Sequence, residues 1–98
     1  MDYNQIENIL LSYGLRKGNV YDGTYSFQYV KGKKHKIIFE RLRPLKNGGA
    51  GGYLYAVVLD EYKHRCSKNG HLCLSKIKSE YEFKNILERV IAYFNSNY

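Results

Sequence analysis

An α+β fold built on one antiparallel sheet follows from three observations in this sequence. Apolar residues recur at helical spacing near each end of the chain. Four segments with the apolar content of strands lie between those ends. The connections between them carry Gly, Asn or Lys. Consecutive strands are most often neighbours in a sheet. The expected architecture is therefore helix, four-stranded antiparallel meander sheet, helix, with both helices packed on one face. The chain has 98 residues, the size of one domain, so a single α+β domain over 1–98 is expected.

The first helix is expected over residues 2–13. Ile6, Ile9, Leu10 and Tyr13 fall on one face. Asp2 is placed to cap the first turn, with Gln5 as the reciprocal capping-box partner. Gly14 followed by Leu15 fits a left-handed glycine stop with an apolar residue after it. Arg16-Lys17-Gly18-Asn19 reads as a loop.

The first strand is expected over 20–30, where Tyr21, Tyr25, Phe27 and Tyr29 alternate with polar residues. Lys31-Gly32-Lys33-Lys34 is its turn. Lys36 to Leu42 forms the second strand, with apolar residues on both parities and no clear facing. The stretch from Arg43 to Gly52 reads as a flexible Gly-rich loop. It lacks the Lys-Ser/Thr and the following helix that a phosphate-cradling loop needs. Tyr53 to Leu59, apolar on both parities, is a central strand. Residues 71–78 form the last strand. Ser79-Glu80-Tyr81-Glu82 opens the final helix as a capping box. Phe83, Ile86, Leu87, Val90, Ile91 and Phe94 then form a broad apolar stripe over 79–95.

The charge is concentrated. The chain carries 16 Lys+Arg against 9 Asp+Glu, a net +7. Residues 31–46 hold seven cations and one acid, Glu40. Residues 63–78 hold five cations and no acid. In a meander, alternate turns share one end of the sheet, so the two basic segments converge there. Neighbouring cations repel unless an anion neutralises them. Lys31, Lys33, Lys34, Lys36, Arg41, Arg43, Lys63, Arg65 and Lys68 are accordingly the candidate nucleic-acid or partner-binding residues. Tyrosine, with 11 copies in a chain that lacks Trp, supplies core volume and rings on which bases stack.

Asn69-Gly70 is a strong hairpin signal. A two-residue turn there places Lys68 opposite His71 and Cys66 opposite Cys73, whose Cα atoms would lie about 5.5 Å apart. Two free thiols are expected. Cys66, Cys73 and His71 are the available metal ligands, but the tight Cys-x₂₋₄-Cys knuckle of structural zinc is missing. No metal and no cofactor are expected.

The element order resembles the double-stranded-RNA-binding architecture and the small toxin ribonucleases built on it. The final helix opens on Ser79-Glu80-Tyr81-Glu82-Phe83-Lys84, acidic where those binders carry lysines. Gly23-Thr24-Tyr25 puts tyrosine where the toxins carry a catalytic histidine. The chain is assigned to neither family.

The leading expectation is a small, basic, non-enzymatic protein that binds nucleic acid or a nucleoprotein complex by backbone charge. One alternative is a phage or mobile-element inhibitor of a host nuclease or defence complex, of the anti-CRISPR kind, docking on an acidic protein surface. A second is a small ribonuclease using His35, His64 or His71 in acid–base chemistry. Frequent Lys, Asn, Tyr and Ile with scarce Ala point to an A/T-rich bacterial genome or its mobile elements. The polar, acidic start carries no secretion signal, and no apolar run reaches the roughly 18 residues of a membrane span. A cytoplasmic monomer or homodimer without membrane contact is expected.

Overall fold

Five strands, one more than the sequence predicts, form an antiparallel sheet in chain order between two helices. The computed structural model describes residues 1–20 and 22–97. The elements are α1 (Tyr3–Ser12), β1 (Arg16–Asn19), β2 (Tyr25–Lys31), β3 (Lys34–Pro44), β4 (Ala50–Tyr55), β5 (His71–Cys73) and α2 (Glu80–Asn97). The sheet order is β1-β2-β3-β4-β5.

The helix termini form as their sequences dictate. Asp2 accepts the backbone N–H of Gln5 at 2.8 Å, and the Gln5 side chain accepts the Asp2 N–H at 2.9 Å. Gly14 follows the helix at φ +82°. At α2, Ser79 Oγ accepts the Glu82 N–H at 3.1 Å. The Glu82 carboxylate departs from the expected box, because it accepts the Lys78 N–H at 2.6 Å instead of that of Ser79.

The added strand is β1. Its four residues, Arg16-Lys17-Gly18-Asn19, carry no apolar alternation, so local sequence marks them as a loop. Backbone pairing decides otherwise: Lys17 faces Phe27 and Gly18 faces Ser26. A short polar edge with a lysine in it is a common guard against pairing with a foreign strand. Lys17 is held there by the carboxylate of Glu7 and by the Tyr25 ring, 4.1 Å below its ammonium.

The expected strand over 20–30 begins at Tyr25. Phe27 and Tyr29 are buried as predicted, and Tyr21 lies outside the described residues. The uncertain facing of the next strand has a physical origin. β3 breaks register three times, between Phe27 and Gln28 and between Tyr25 and Phe27 on the β2 side, and between Glu40 and Arg43 on the β4 side. A bulge inserts a residue and shifts which parity faces inward. Both Ile38 and Phe39 are consequently fully buried.

The glycine-rich stretch is divided among three elements. Arg43 and Pro44 end β3, residues 45–49 form the turn, and Ala50-Gly51-Gly52 begin β4. Gly52 has φ +153°, and a methyl group there would lie 2.4 Å from the Phe39 ring. The chain leaves the sheet after Tyr55, so 56–59 are not strand. Leu59 instead accepts from both Tyr62 and Lys63. The last strand also stops early, since a 3₁₀ turn, Leu74–Lys76, replaces its second half.

One apolar core joins the sheet to both helices. It contains Ile6, Ile9 and Leu10 from α1, Phe83, Ile86, Leu87 and Val90 from α2, and Phe27, Phe39, Leu54 and Leu72 from the strands. Phe39 meets Phe83 edge-on at 6.0 Å, and Tyr29 meets Phe94 at 6.1 Å. Tyr13 Oη donates to Glu88 Oε1 at 2.5 Å, tying the end of α1 to α2. Among the described residues, no helix is long and apolar enough to cross a membrane.

Candidate functional site

On β4 and β5, Leu54 and Leu72 are fully buried, while their neighbours Tyr53, His71 and Cys73 are half-buried. Strand alternation puts those three on the other face of the sheet. Tyr53 pairs with Glu40 on one side and with Cys73 on the other. A cleft of about 460 Å³ opens over this row. The sheet supplies Glu40, Arg41, Tyr53, His71 and Cys73, and Arg65, Cys66 and Lys76 come from the segments flanking β5.

The bulge in β3 shapes one wall. Arg41 adopts φ +59°, left-handed backbone that non-glycine residues seldom occupy. Bulges of this sort re-aim a side chain. Arg41 lines the cleft and also an adjoining recess of about 300 Å³, walled by Val20, Ile37, Asp22 and Ser26. Glu40 borders both hollows too. Asp22 sits 3.7 Å from the Arg41 guanidinium. The Asp22 carboxyl is held below its ordinary range, first by the Thr24 hydroxyl and backbone N–H and then by Arg41.

The opposite wall depends on a glycine turn. Ser67 accepts the Gly70 N–H at 2.9 Å and donates its own N–H to His71 O at 2.9 Å. The loop thus spans Lys68, Asn69 and Gly70, with Gly70 at φ +85°. This corrects the expected two-residue turn. A two-residue Asn-Gly turn needs positive φ at both residues, and here Gly70 has it and Asn69 does not. The register moves by one: Ser67, and not Lys68, faces His71. The strand expected before the turn is a 3₁₀ turn, Lys63–Arg65, and β5 pairs with β4 instead. Cys66 and Cys73 therefore do not oppose one another in a ladder, although both border the cleft as free thiols.

The two thiols differ. Cys73 Sγ lies 3.2 Å from Ser75 Oγ, and this contact, aided by Lys76 and Arg43, draws its pKa below the ordinary thiol value. Burial pushes the Cys66 thiol up. Among the described residues, no group of three or more His, Cys, Asp or Glu side chains is placed to hold a metal ion.

His71 and Glu40 form a close pair in the site. His71 Nδ1 lies 3.5 Å from Glu40 Oε1. The imidazole also meets the Tyr55 ring edge-on at 6.1 Å. Lys36 stands over the same Tyr55 ring, its ammonium 4.1 Å from the centroid. Arg65 is held 4.7 Å over the Tyr62 ring and 4.0 Å from Glu82. Lys76 donates to the Arg65 carbonyl at 3.4 Å.

Of the nine cations singled out by sequence, Arg41 and Arg65 meet in the cleft. Arg43 lies beside it, folded over Gly51 and donating to the Arg41 carbonyl at 3.0 Å. Lys31, Lys33 and Lys34 occupy the β2–β3 hairpin and do not line the cleft, and Lys31 donates to Asn95 O at 3.0 Å. Lys63 and Lys68 are exposed on the segment before β5. Sequence reasoning missed Glu40, Tyr53 and Lys76. Glu40 had a signal, as the single acid in a run of seven cations. Lys76 had one too, as a cation of the basic segment 63–78, and Tyr53 had none, because its place depends on which strands pair.

No protein-family model, no curated protein and no solved structure matches this chain.

Proposed function

We propose that this chain binds single-stranded nucleic acid across the face of its sheet. In this reading the two helices share one face and leave the other to the ligand. The observation that carries it is the convergence of Arg41, Arg65 and Lys76 with Tyr53 in one cleft, beside a recess that Val20 and Ile37 wall together with polar residues. Guanidinium forks match phosphate oxygens in pairs. Tyrosine offers a ring on which any base stacks, worth about 1–3 kcal/mol per base. Three cations around one cleft raise the local positive potential and draw polyanions. Arg43 beside the cleft and the exposed Lys63 and Lys68 before β5 add positive charge near it.

The test is fluorescence anisotropy with labelled single- and double-stranded DNA and RNA at low and physiological salt. Micromolar or tighter binding to single strands is expected, with log K falling by about 0.7 per phosphate contact per decade of salt. Arg41→Glu with Arg65→Glu should weaken it at least about tenfold, the effect of roughly 1.4 kcal/mol. A salt slope near zero, or an unchanged affinity in the double variant, would refute the reading.

A further inference from the structure

His71 and Glu40 are more than a surface ion pair. Their side chains are only 15% and 31% exposed, and they face each other inside the cationic cleft. With Nδ1 turned to the carboxylate, Nε2 is the imidazole nitrogen left for a ligand, and it has no hydrogen bond among the described residues. A carboxylate beside one ring nitrogen favours the tautomer that carries the proton there and leaves the other nitrogen able to accept one. Around this base stand Arg41, Arg65 and Lys76. The smaller recess shares Glu40 and Arg41 with the cleft. A base seated against Val20 and Ile37 would therefore lead its phosphate toward Arg41 and the cleft that His71 also lines.

We infer that the cleft cleaves single-stranded RNA by transesterification, with His71 as general base and Glu40 as its positioning residue. This inference rests on the binding reading above. His71 Nε2 takes the proton of a ribose 2′-hydroxyl. The 2′ oxygen forms a bond to phosphorus, and the bond from phosphorus to the 5′ oxygen breaks. The products are a 2′,3′-cyclic phosphate and a 5′-hydroxyl. The departing oxygen takes a proton from water, and the imidazolium gives its proton back to the hydroxide formed. No electrons change hands. Arg41 and Arg65 stabilise the charge gathering on the phosphoryl oxygens, a term that electrostatic preorganisation makes large in a site of this kind. DNA lacks the 2′-hydroxyl, so it can bind without reacting.

The experiment uses the full chain, a fluorescent single-stranded RNA and its all-deoxy counterpart, with binding and cleavage read separately. The expected result is RNA fragments ending in a 2′,3′-cyclic phosphate, and a deoxy strand that binds uncut. At saturating RNA, His71→Ala and the closer-fitting His71→Gln should each cut at least about 100-fold more slowly, the usual scale of general-base catalysis. Glu40→Gln should lower kcat about tenfold with a much smaller change in KM, and Glu40→Asp should recover part of the loss, on the same scale of proton-transfer effects. Binding without cleavage would overturn the inference and leave the binding reading intact. Cutting that persists at the full rate in both His71 variants would overturn it as well. Failure to bind either strand would overturn both.

Discussion

His71 at the start of β5 reaches Glu40 in β3, 3.5 Å away, across the intervening strand β4. The contact exists because β3 bulges beside Glu40, where Arg41 turns to φ +59°. One irregularity in one strand thus places both the carboxylate and a guanidinium at the cleft.

The bulge should carry a stability cost. Left-handed backbone costs a residue with a Cβ about 1–2 kcal/mol, and glycine avoids it. Arg41→Gly is therefore expected to raise unfolding stability by about 1 kcal/mol while weakening nucleic-acid binding. Urea titration and anisotropy on the same preparation would show the two effects move in opposite directions. A variant that is less stable than the parent would contradict the strain assigned to Arg41.

Gly52 should tolerate no side chain. A methyl there meets Phe39 Cε1 at 2.4 Å and the Glu40 carbonyl at 3.1 Å, on backbone at φ +153°. Phe39 is fully buried and cannot step aside. Gly52→Ala is expected to cost about 2–3 kcal/mol, from overpacking and backbone strain together. Gly48→Ala, at φ +88° in the adjoining turn with open space around it, carries backbone strain without the clash and provides the comparison. A urea midpoint for Gly52→Ala equal to that of Gly48→Ala would overturn the argument.

Alkaline pH should loosen the join between the helices. The hydrogen bond to Glu88 raises the Tyr13 phenol from 10.0 to about 12. Below pH 10.0, folded and unfolded chains both keep the proton, and the full contribution is present. Between 10.0 and about 12 the unfolded chain loses the proton first, so stability falls. Tyr13→Phe should start less stable and lose less over that interval. Denaturation midpoints from pH 9 upward would check it, with parallel curves for the two proteins as the contrary result.

Acid should act through Glu82. The Lys78 backbone N–H, with help from the Tyr62 hydroxyl and Arg65, holds this carboxyl below its ordinary 4.5. Its contribution is fully present above 4.5 and is lost as pH falls through the lower folded value. Glu82→Gln is expected to flatten the acid limb of the stability curve. An acid limb as steep as that of the parent would count against this role.

The two thiols should react at different rates. Cys73, with its pKa drawn down by Ser75, Lys76 and Arg43, should be alkylated by iodoacetamide before Cys66, whose thiol burial pushes up. Bound single-stranded RNA should protect both, since both border the cleft. Peptide mass spectrometry over a time course gives the order of labelling. Faster reaction at Cys66 would reverse the assignment.

Much of the frame was legible from residues close in sequence. Asp2, Gln5 and Gly14 bound the first helix, and Ser79 opens the second. Phe27 and Tyr29 face the core as their alternation requires. The site was less legible. Two of nine cations line the cleft, Glu40 and Tyr53 join them through strand pairing, and Lys76 comes from the 3₁₀ turn after β5. The Asn-Gly pair marked a turn correctly and its register wrongly, because Gly70 alone takes positive φ.

By itself, then, the sequence determined the α+β class, the helix limits and the two basic segments. Those features are written in local periods of 3.6 and 2, in capping pairs and in charge counts. Tertiary structure alone decided that Arg16–Asn19 is a strand, that β3 bulges at Arg41, and that Glu40 meets His71. The reason is the backbone. An edge strand without apolar residues and a bulge both exist only as hydrogen-bond arrangements with a partner strand, and no side-chain pattern in the segment itself records who that partner will be.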